Sequence, residues 1–223
     1  MTVPSTSVAN TAMLHPILSV ARSCDCARRF RHCQDWFDRI VGMAYHHGDL
    51  KAVILQHAAT LVAERGADGI SLRELARTAG VSHAAPAHHF TDRRGLFTAL
   101  ATEGYQLLAD ALKDVRGQFI DAAKAYVRFA LDHPGHYAVM FDKSLYDDTD
   151  PGLVAAASAA GAELNRGVGT LDDPKAKDDP AGAALAAWSM VHGFSLLWLN
   201  DAIDTDRDPI ATVERLGAIL FDG

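Results

Sequence analysis

The chain has 223 residues, 49% of them hydrophobic and 22% charged, and carries a net charge of −7. This balance excludes a disordered or collagen-like chain, and the length points to one helical or mixed domain with an appended module. The only cysteines, Cys24, Cys26 and Cys33, lie near the start, which excludes a disulfide framework and fits a reducing, cytoplasmic setting.

The net charge conceals an uneven distribution. Residues 1–42 carry five Arg against three Asp, residues 43–95 six Lys and Arg against five Asp and Glu, and residues 96–223 ten against twenty. The acidity belongs to the C-terminal part. Within residues 71–94, Arg73, Arg77, Arg93 and Arg94 outweigh Glu74 and Asp92, which leaves a local basic face.

Residues 1–20 lack a basic n-region, and the apolar stretch from Leu14 to Val20 is broken by His15 and Pro16, so no export signal is read. The cluster Cys24-Asp25-Cys26 with His32-Cys33 matches no common zinc spacing, and no metal site is expected. Residues 1–45 show no sustained periodicity. They read as a disordered or non-native extension, with Met43 as a candidate start.

Ordered periodicity begins at Leu50, with Ile54, Ala58, Leu61 and Val62 on one stripe that stops at Gly66. Ser71-Leu72-Arg73-Glu74 has the pattern of a capping box, and Gly80 supplies a left-handed stop, bounding a second helix over 72–79. Ser82 is the expected cap of a third helix through His83 to Phe90, where Pro86 still falls within the first turn. Thr91 or Asp92 caps a fourth helix carrying Leu96, Phe97, Leu100, Leu107, Leu108 and Leu112. A further helix is read from Val115 to Leu131, stopped by His133-Pro134-Gly135. Tyr137 to Phe141 is a short apolar segment, Pro151 to Val168 an Ala-rich helix, and Leu171 to Pro180 a charged loop. Asp208-Pro209 opens a last helix with Ile210, Val213, Leu216 and Leu220 on one face. No alternating strand pattern appears, so the fold class is all-α.

Ala181 to Leu199 lacks Lys, Arg, Asp and Glu and reaches the length of a membrane span. Acidic flanks and the absence of a basic anchor argue against that reading, and no membrane partner is expected. A helix apolar all round is buried on all sides. One face holds Leu185, Trp188, His192, Leu196 and Leu199, another Ala186, Met190, Gly193 and Leu197, so the domain core and a second subunit are the expected neighbours.

A supporting helix, a capped short helix, a three-residue turn and another short helix make a helix-turn-helix, which sets its last helix in the major groove of double-stranded DNA. The residues that carry this arrangement resemble the TetR family of transcriptional regulators. They are His47-Gly48-Asp49-Leu50, Ala63-Glu64-Arg65-Gly66, Ser71-Leu72-Arg73-Glu74-Leu75-Ala76, Ala79-Gly80-Val81-Ser82, and His89-Phe90 with Asp92-Arg93. Tyr126 to Phe141 and Trp188-Ser189-Met190-Val191-His192-Gly193 are similar to a regulatory domain of that family. The resemblance implies a reading domain over 46–93, a helical regulatory and dimerisation domain over 94–223, and a homodimer joined by the last two helices. It further implies a repressor released from a palindromic operator by a small-molecule effector.

Ser71, Ser82 and Arg93 are the expected phosphate contacts, because helix starts offer free amides to anions, with Arg73 on the same basic face. His83, Ala84, Ala85 and His88 are the candidates for the groove, and His89 with Phe90 is expected to position the helix. Ala87 stands where the family usually has a tyrosine that touches the DNA backbone, which removes one phosphate contact. Arg93 replaces the usual lysine and keeps the charge. Phe129, His133, Tyr137, Met140, Phe141, Trp188 and His192 are the candidate lining of an effector pocket. No catalytic group or cofactor is expected, since the His-Glu-x-x-His and Gly-x-Ser-x-Gly patterns are both missing from the sequence. The alternative reading is a helical ligand-binding protein with lost or weak DNA binding.

Overall fold

The computed structural model describes residues 50–115, 117–204 and 206–221. The expected N-terminal extension, the Met43 start and the cysteine cluster lie outside the described residues. Every regular element described is an α-helix: α1 (Leu50–Arg65), α2 (Leu72–Thr78), α3 (Ala84–Phe90), α4 (Arg93–Val115), α5 (Phe119–Asp132), α6 (Pro134–Met140), α7 (Pro151–Val168), α8 (Pro174–Asp178), α9 (Pro180–Leu199) and α10 (Pro209–Leu220).

The helices begin where acidic caps and prolines place them. Asp150, Asp173, Asp179 and Asp208 each accept an amide of the first turn, and each is followed by Pro at the first helical position, where a missing N–H costs nothing. One of these pairs corrects the sequence reading of residues 171–180, because Asp173-Pro174 starts the one-turn helix α8 inside that loop. Two further corrections concern the middle of the chain. The helix read from Val115 is divided, with α4 ending at Val115 and α5 starting at Phe119, where Gln118 and Asp121 exchange a capping box. The helix α5 does stop at His133, as read, but the apolar segment beyond it is a further helix, α6, with Pro134 as its first residue.

Two apolar clusters hold the fold together. The first gathers Ile54, Ala58 and Val62 of α1, Leu75 of α2, Phe90 of α3, and Leu96, Phe97 and Leu100 of α4. It is completed by Val139 of α6, by Leu145 and Tyr146 of the α6–α7 connection, and by Leu153 of α7. The second joins Leu108 and Leu112 of α4 to α5, α6, α7, α9 and Val213 of α10. The expected boundary at 93/94 therefore falls at the start of one continuous helix, α4, which contributes to both clusters.

The core face of α9 is Ala183, Ala187, Val191, Phe194 and Trp198. Neither stripe named from the sequence is this face, because a uniformly apolar helix carries no internal signal of which side turns inward. Leu185, Trp188 and Leu196 point outward, and Gly193 borders open space. This helix is long and apolar enough to cross a bilayer, with a mean hydropathy of 1.3, and 33% of that stretch is buried within the fold.

Helix α6 crosses α1 in backbone contact. A Cβ placed on Gly135 would lie 1.9 Å from the Ala59 carbonyl oxygen and 3.0 Å from the Ala59 Cα, so only glycine permits this approach. The obstacle is backbone and cannot rotate away. Gly135→Ala is therefore expected to force α6 off α1 and to destabilise the fold by about 1–3 kcal/mol, read as a lowering of Tm by several degrees in thermal unfolding.

Candidate DNA-reading head and effector cavity

Ser71 caps α2 by accepting the Glu74 amide at 3.2 Å. Only this half of the expected capping box forms. The Glu74 carboxylate instead takes Arg65 Nη1 at 2.9 Å, tying α2 back to the end of α1. Gly66 and Gly80 adopt φ of 77° and 66°, so both stops read from the sequence are in the left-handed region.

The third helix starts one residue later than expected. His83 is its N-cap in a helical conformation without a side-chain bond, and Ser82 contributes only its carbonyl, which accepts the Ala85 amide at 3.0 Å. Ser82, expected as a capping hydroxyl, thus makes no cap. Ser82, His83, Ala84, Ala87, His88 and His89 are exposed, Ala85 is half-buried, and Pro86 and Phe90 are buried. His89 is exposed, with its ring 6.2 Å from that of Phe90 and 5.4 Å from that of His88. Pro86 and Phe90 anchor the helix to the core.

After α3 the chain reverses in a single strained residue. Thr91 has φ 65° and ψ −59°, and the Asp92 amide donates to the Phe90 carbonyl at 2.7 Å, which is a γ-turn of the positive-φ kind. Asp92, rather than Thr91, then caps α4 by accepting the Gly95 amide at 2.8 Å. A Cβ on Gly95 would lie 2.0 Å from the Phe90 carbonyl oxygen, so the turn and the glycine require each other.

Arg93, expected on phosphate, is turned inward. Its Nη2 donates to the Ala67 carbonyl at 2.8 Å, its Nε to the Ile70 carbonyl at 3.1 Å, and its guanidinium carbon lies 4.7 Å from the Phe97 ring centre. It clamps the α1–α2 connection to α4. The exposed cations around the turn are Arg73, Arg77 and Arg94. The last two were counted in the basic face but not among the expected DNA contacts, because Arg93 and Arg94 are indistinguishable neighbours in the sequence.

A cavity of about 370 Å³ lies between α4, α5, α7 and α9. It is walled by Tyr105 and Leu108, Phe119, Ala122, Ala123 and Tyr126, Ala157, Ala160, Gly161, Leu164, Asn165 and Val168, and Ala184, Leu185, Ala187, Trp188 and Val191, with Phe141 at the end of α6. None of these side chains is charged. Of the seven residues expected there, Phe141 and Trp188 line it, whereas Phe129, Tyr137 and Met140 are buried in the core. His133 lies with Phe129, their ring centres 5.3 Å apart, away from the cavity. His192 stands behind the wall, where its Nδ1 meets the hydroxyls of Tyr137 at 2.8 Å and Tyr126 at 3.0 Å. With Nδ1 accepting, the ring proton is on Nε2, and the His192 carbonyl, 3.3 Å from the Tyr137 hydroxyl, offers the second acceptor.

The cavity eluded the sequence because it is where side chains stop. Ala122, Ala123, Ala157, Ala160, Gly161, Ala184 and Ala187 face one another from three helices, and small residues on facing helices leave a void that aromatic spacing does not report. Burial pushes the Tyr105 and Tyr126 hydroxyls far above the usual phenol range and Tyr137 up to about 12, so the interior stays neutral.

Together these parts define a helix-turn-helix DNA-binding head carried on a helical domain with an apolar cavity. Residues 54–100 match the family model "Bacterial regulatory proteins, tetR family" and residues 119–220 match "Tetracyclin repressor-like, C-terminal domain". A solved protein of unknown function from Rhodococcus sp. RHA1 is 34% identical with a TM-score of 0.64, over 81% of this chain and 98% of that one. A tetR-family regulatory protein from Rhodococcus RHA1 shares the fold at 18% identity, with a TM-score of 0.59 over 76% of this chain and 93% of that one. The transcriptional repressor AcnR of Corynebacterium diphtheriae is 39% identical over 61 residues, which is 27% of this chain and 32% of that protein. The chain belongs to the TetR family of DNA-binding transcriptional regulators.

Two expectations follow from the site. Arg93→Ala is expected to lower stability by about 1.5–3 kcal/mol, since a charged donor to buried carbonyls is lost, whereas Arg73→Ala leaves Tm unchanged and reduces the salt slope of DNA binding by about 1; thermal melts and a salt titration separate the two. The second concerns pH. Burial holds His57, His133 and His192 below the usual histidine value, so the unfolded chain binds protons first as pH falls. Their contribution to stability is complete above about pH 6.5, declines below it, and levels off once pH passes the lowered folded values. Asp147 and Asp172 are held below the ordinary carboxylate value and do not contribute in that window. Urea midpoints at fixed protein concentration between pH 5 and 8 should show this decline, and His192→Gln should make it shallower.

Proposed function

We propose that the protein is a cytoplasmic homodimeric repressor that leaves its operator when a neutral, apolar small molecule enters the cavity between α4, α5, α7 and α9. The observation that carries this reading is α4 itself. Its first turn holds the reading head through Arg93 and the Asp92 cap, and three turns later its Tyr105 and Leu108 wall the cavity. A ligand that favours one position of α4 therefore favours one position of α3.

His83, Ala84, Ala85 and His88 are the groove-facing set in this reading, with histidine donating or accepting at base edges and alanine meeting thymine methyls. Ser71, Ser82, Arg73 and Arg94 serve the phosphates, while Arg93 positions the head. The second copy packs on α9 and α10, where Leu185, Trp188, Leu196, Leu197, Ile219 and Leu220 are exposed, and the two heads then read half-sites about 34 Å apart. The repressive sense follows the name of the AcnR relative. The lining carries no charge, which favours an uncharged ligand.

Fluorescence anisotropy on DNA upstream of the chain's own gene, against scrambled DNA at two salt concentrations, tests the reading. Preferential binding that persists at higher salt is expected; equal, salt-fragile binding to both DNAs at any candidate operator favours a ligand-binding protein with weak DNA binding. The exposed Ala87 is the observation behind that second reading. Ala87→Tyr, which has solvent to occupy, is expected to tighten operator binding about three- to tenfold without changing sequence preference, measured in the same assay.

A further inference from the structure

Helix α3 carries few groups able to meet a base edge. Of its residues Ala84-Ala85-Pro86-Ala87-His88-His89-Phe90, only the two histidines have side chains that form hydrogen bonds, and His83 stands at the N-cap. The helix has no Lys, Arg, Asp or Glu. The three imidazoles are not equivalent. Pro86 and Phe90 form the buried face, and at about 100° per residue His88 falls about 180° from their midpoint, pointing straight away from the core. His89 lies to one side, on the wall of a polar groove shared with Lys51, Asp92, Arg94, Glu103, Asp147 and Asp150, where charges of both signs already surround it. His83 sits at the positive end of the helix, which disfavours a cation, whereas His88 is in the last turn, whose free carbonyls favour one.

The charged and titratable groups near α3 are Lys51, His57, Glu64 and Arg65 of α1, Arg73, Glu74 and Arg77 of α2, and Asp92, Arg93 and Arg94 at the start of α4. The three carboxylates among them are engaged, Glu64 and Glu74 by Arg65 at 4.0 and 2.9 Å and Asp92 by the Gly95 amide. The negative charge open to His88 is therefore that of the DNA.

We infer that His88 reads guanine as an imidazolium, so that operator binding takes up protons. The inference rests on the proposed reading that α3 enters the major groove. A neutral imidazole offers one donor and one acceptor, whereas the protonated ring offers two donors and no acceptor. Guanine presents only the acceptors O6 and N7 on its major-groove edge, while adenine and cytosine each present a donor there. The phosphates that flank the groove favour the cation as well. A histidine that gains a negative partner on binding holds its proton to higher pH in the complex than in the free protein. Affinity then rises as pH falls through that interval and levels off below it.

The test uses the full chain and an operator duplex selected from random-sequence DNA. Fluorescence anisotropy at constant salt, from about pH 8.5 down to about pH 6.5, gives the affinity of the wild type and of His83→Gln, His88→Gln and His89→Gln. Circular dichroism checks the fold of each at each pH. The wild type is expected to bind at least about threefold more tightly for each unit fall in pH, and to lose about fivefold or more when 7-deazaguanine, which lacks N7, replaces the guanine that is read. His83→Gln and His89→Gln keep the pH dependence. His88→Gln loses it and prefers the operator with adenine at that guanine, because glutamine matches the paired donor and acceptor of adenine. Affinity of the wild type that is independent of pH, with sequence preference intact, overturns the inference and leaves DNA reading by α3 standing. A pH dependence that survives His88→Gln, or an operator in which no guanine responds to 7-deazaguanine, also overturns it. Failure of the selection to enrich any sequence removes the DNA-reading proposal itself, and the inference with it.

Discussion

Besides the continuous helix α4, the two halves of this fold are joined where α6 lies on α1 without a side chain between them. Gly135 has no Cβ to meet the Ala59 carbonyl, and this absence lets Val139 of α6 enter the same apolar cluster as Ile54, Ala58 and Val62 of α1. Backbone packed directly on backbone has little room to slide, because interiors this dense respond to displacement by moving whole elements. At the neighbouring crossing the Met140 side chain of α6 packs over Gly104 of α4, and Tyr105 donates its hydroxyl to the Met140 carbonyl at 2.9 Å. Helices α4 and α6 are thereby tied to each other and to α1 of the reading head.

The reading head is fixed by polar geometry more than by its own core. Its third helix has seven residues and buries only Pro86 and Phe90, too little to orient it alone. The γ-turn at Thr91, the Asp92 cap and the Arg93 clamp set its angle to α4, and each places a strained or charged group where it is fully partnered. In consequence the outward surface of α3 is left to small and imidazole side chains.

Charge is separated along the chain in a way that suits these roles. Basic residues remain exposed around the turn, the acidic excess lies on the helical domain, and the cavity inside that domain is neutral. The buried tyrosine hydroxyls and the Glu103 carboxylate beside His136, at 2.9 Å, satisfy the polar atoms near the core, and no buried side-chain polar atom among the described residues lacks a partner. The polar groups in the cavity wall are the Tyr105 and Tyr126 side chains, whose hydroxyls are bonded to the Met140 carbonyl and His192, and the Asn165 amide.

Local chemistry wrote the helix boundaries into the sequence. Asp-Pro starts, glycine stops and the Ser71 cap depend on residues within one turn of each other, so they are legible without knowledge of the fold. The helix-turn-helix, the all-α class and the family resemblance follow from that local information. What the tertiary structure alone decided are relations across the chain: Arg93 inward and Arg94 outward, Gly135 as a packing glycine at the break, the inward face of α9, and a cavity opened by facing alanines that takes only Phe141 and Trp188 from the expected set. Each depends on what lies opposite a residue in space, and a one-dimensional pattern records what a residue is and where its neighbours in sequence fall, but not what faces it.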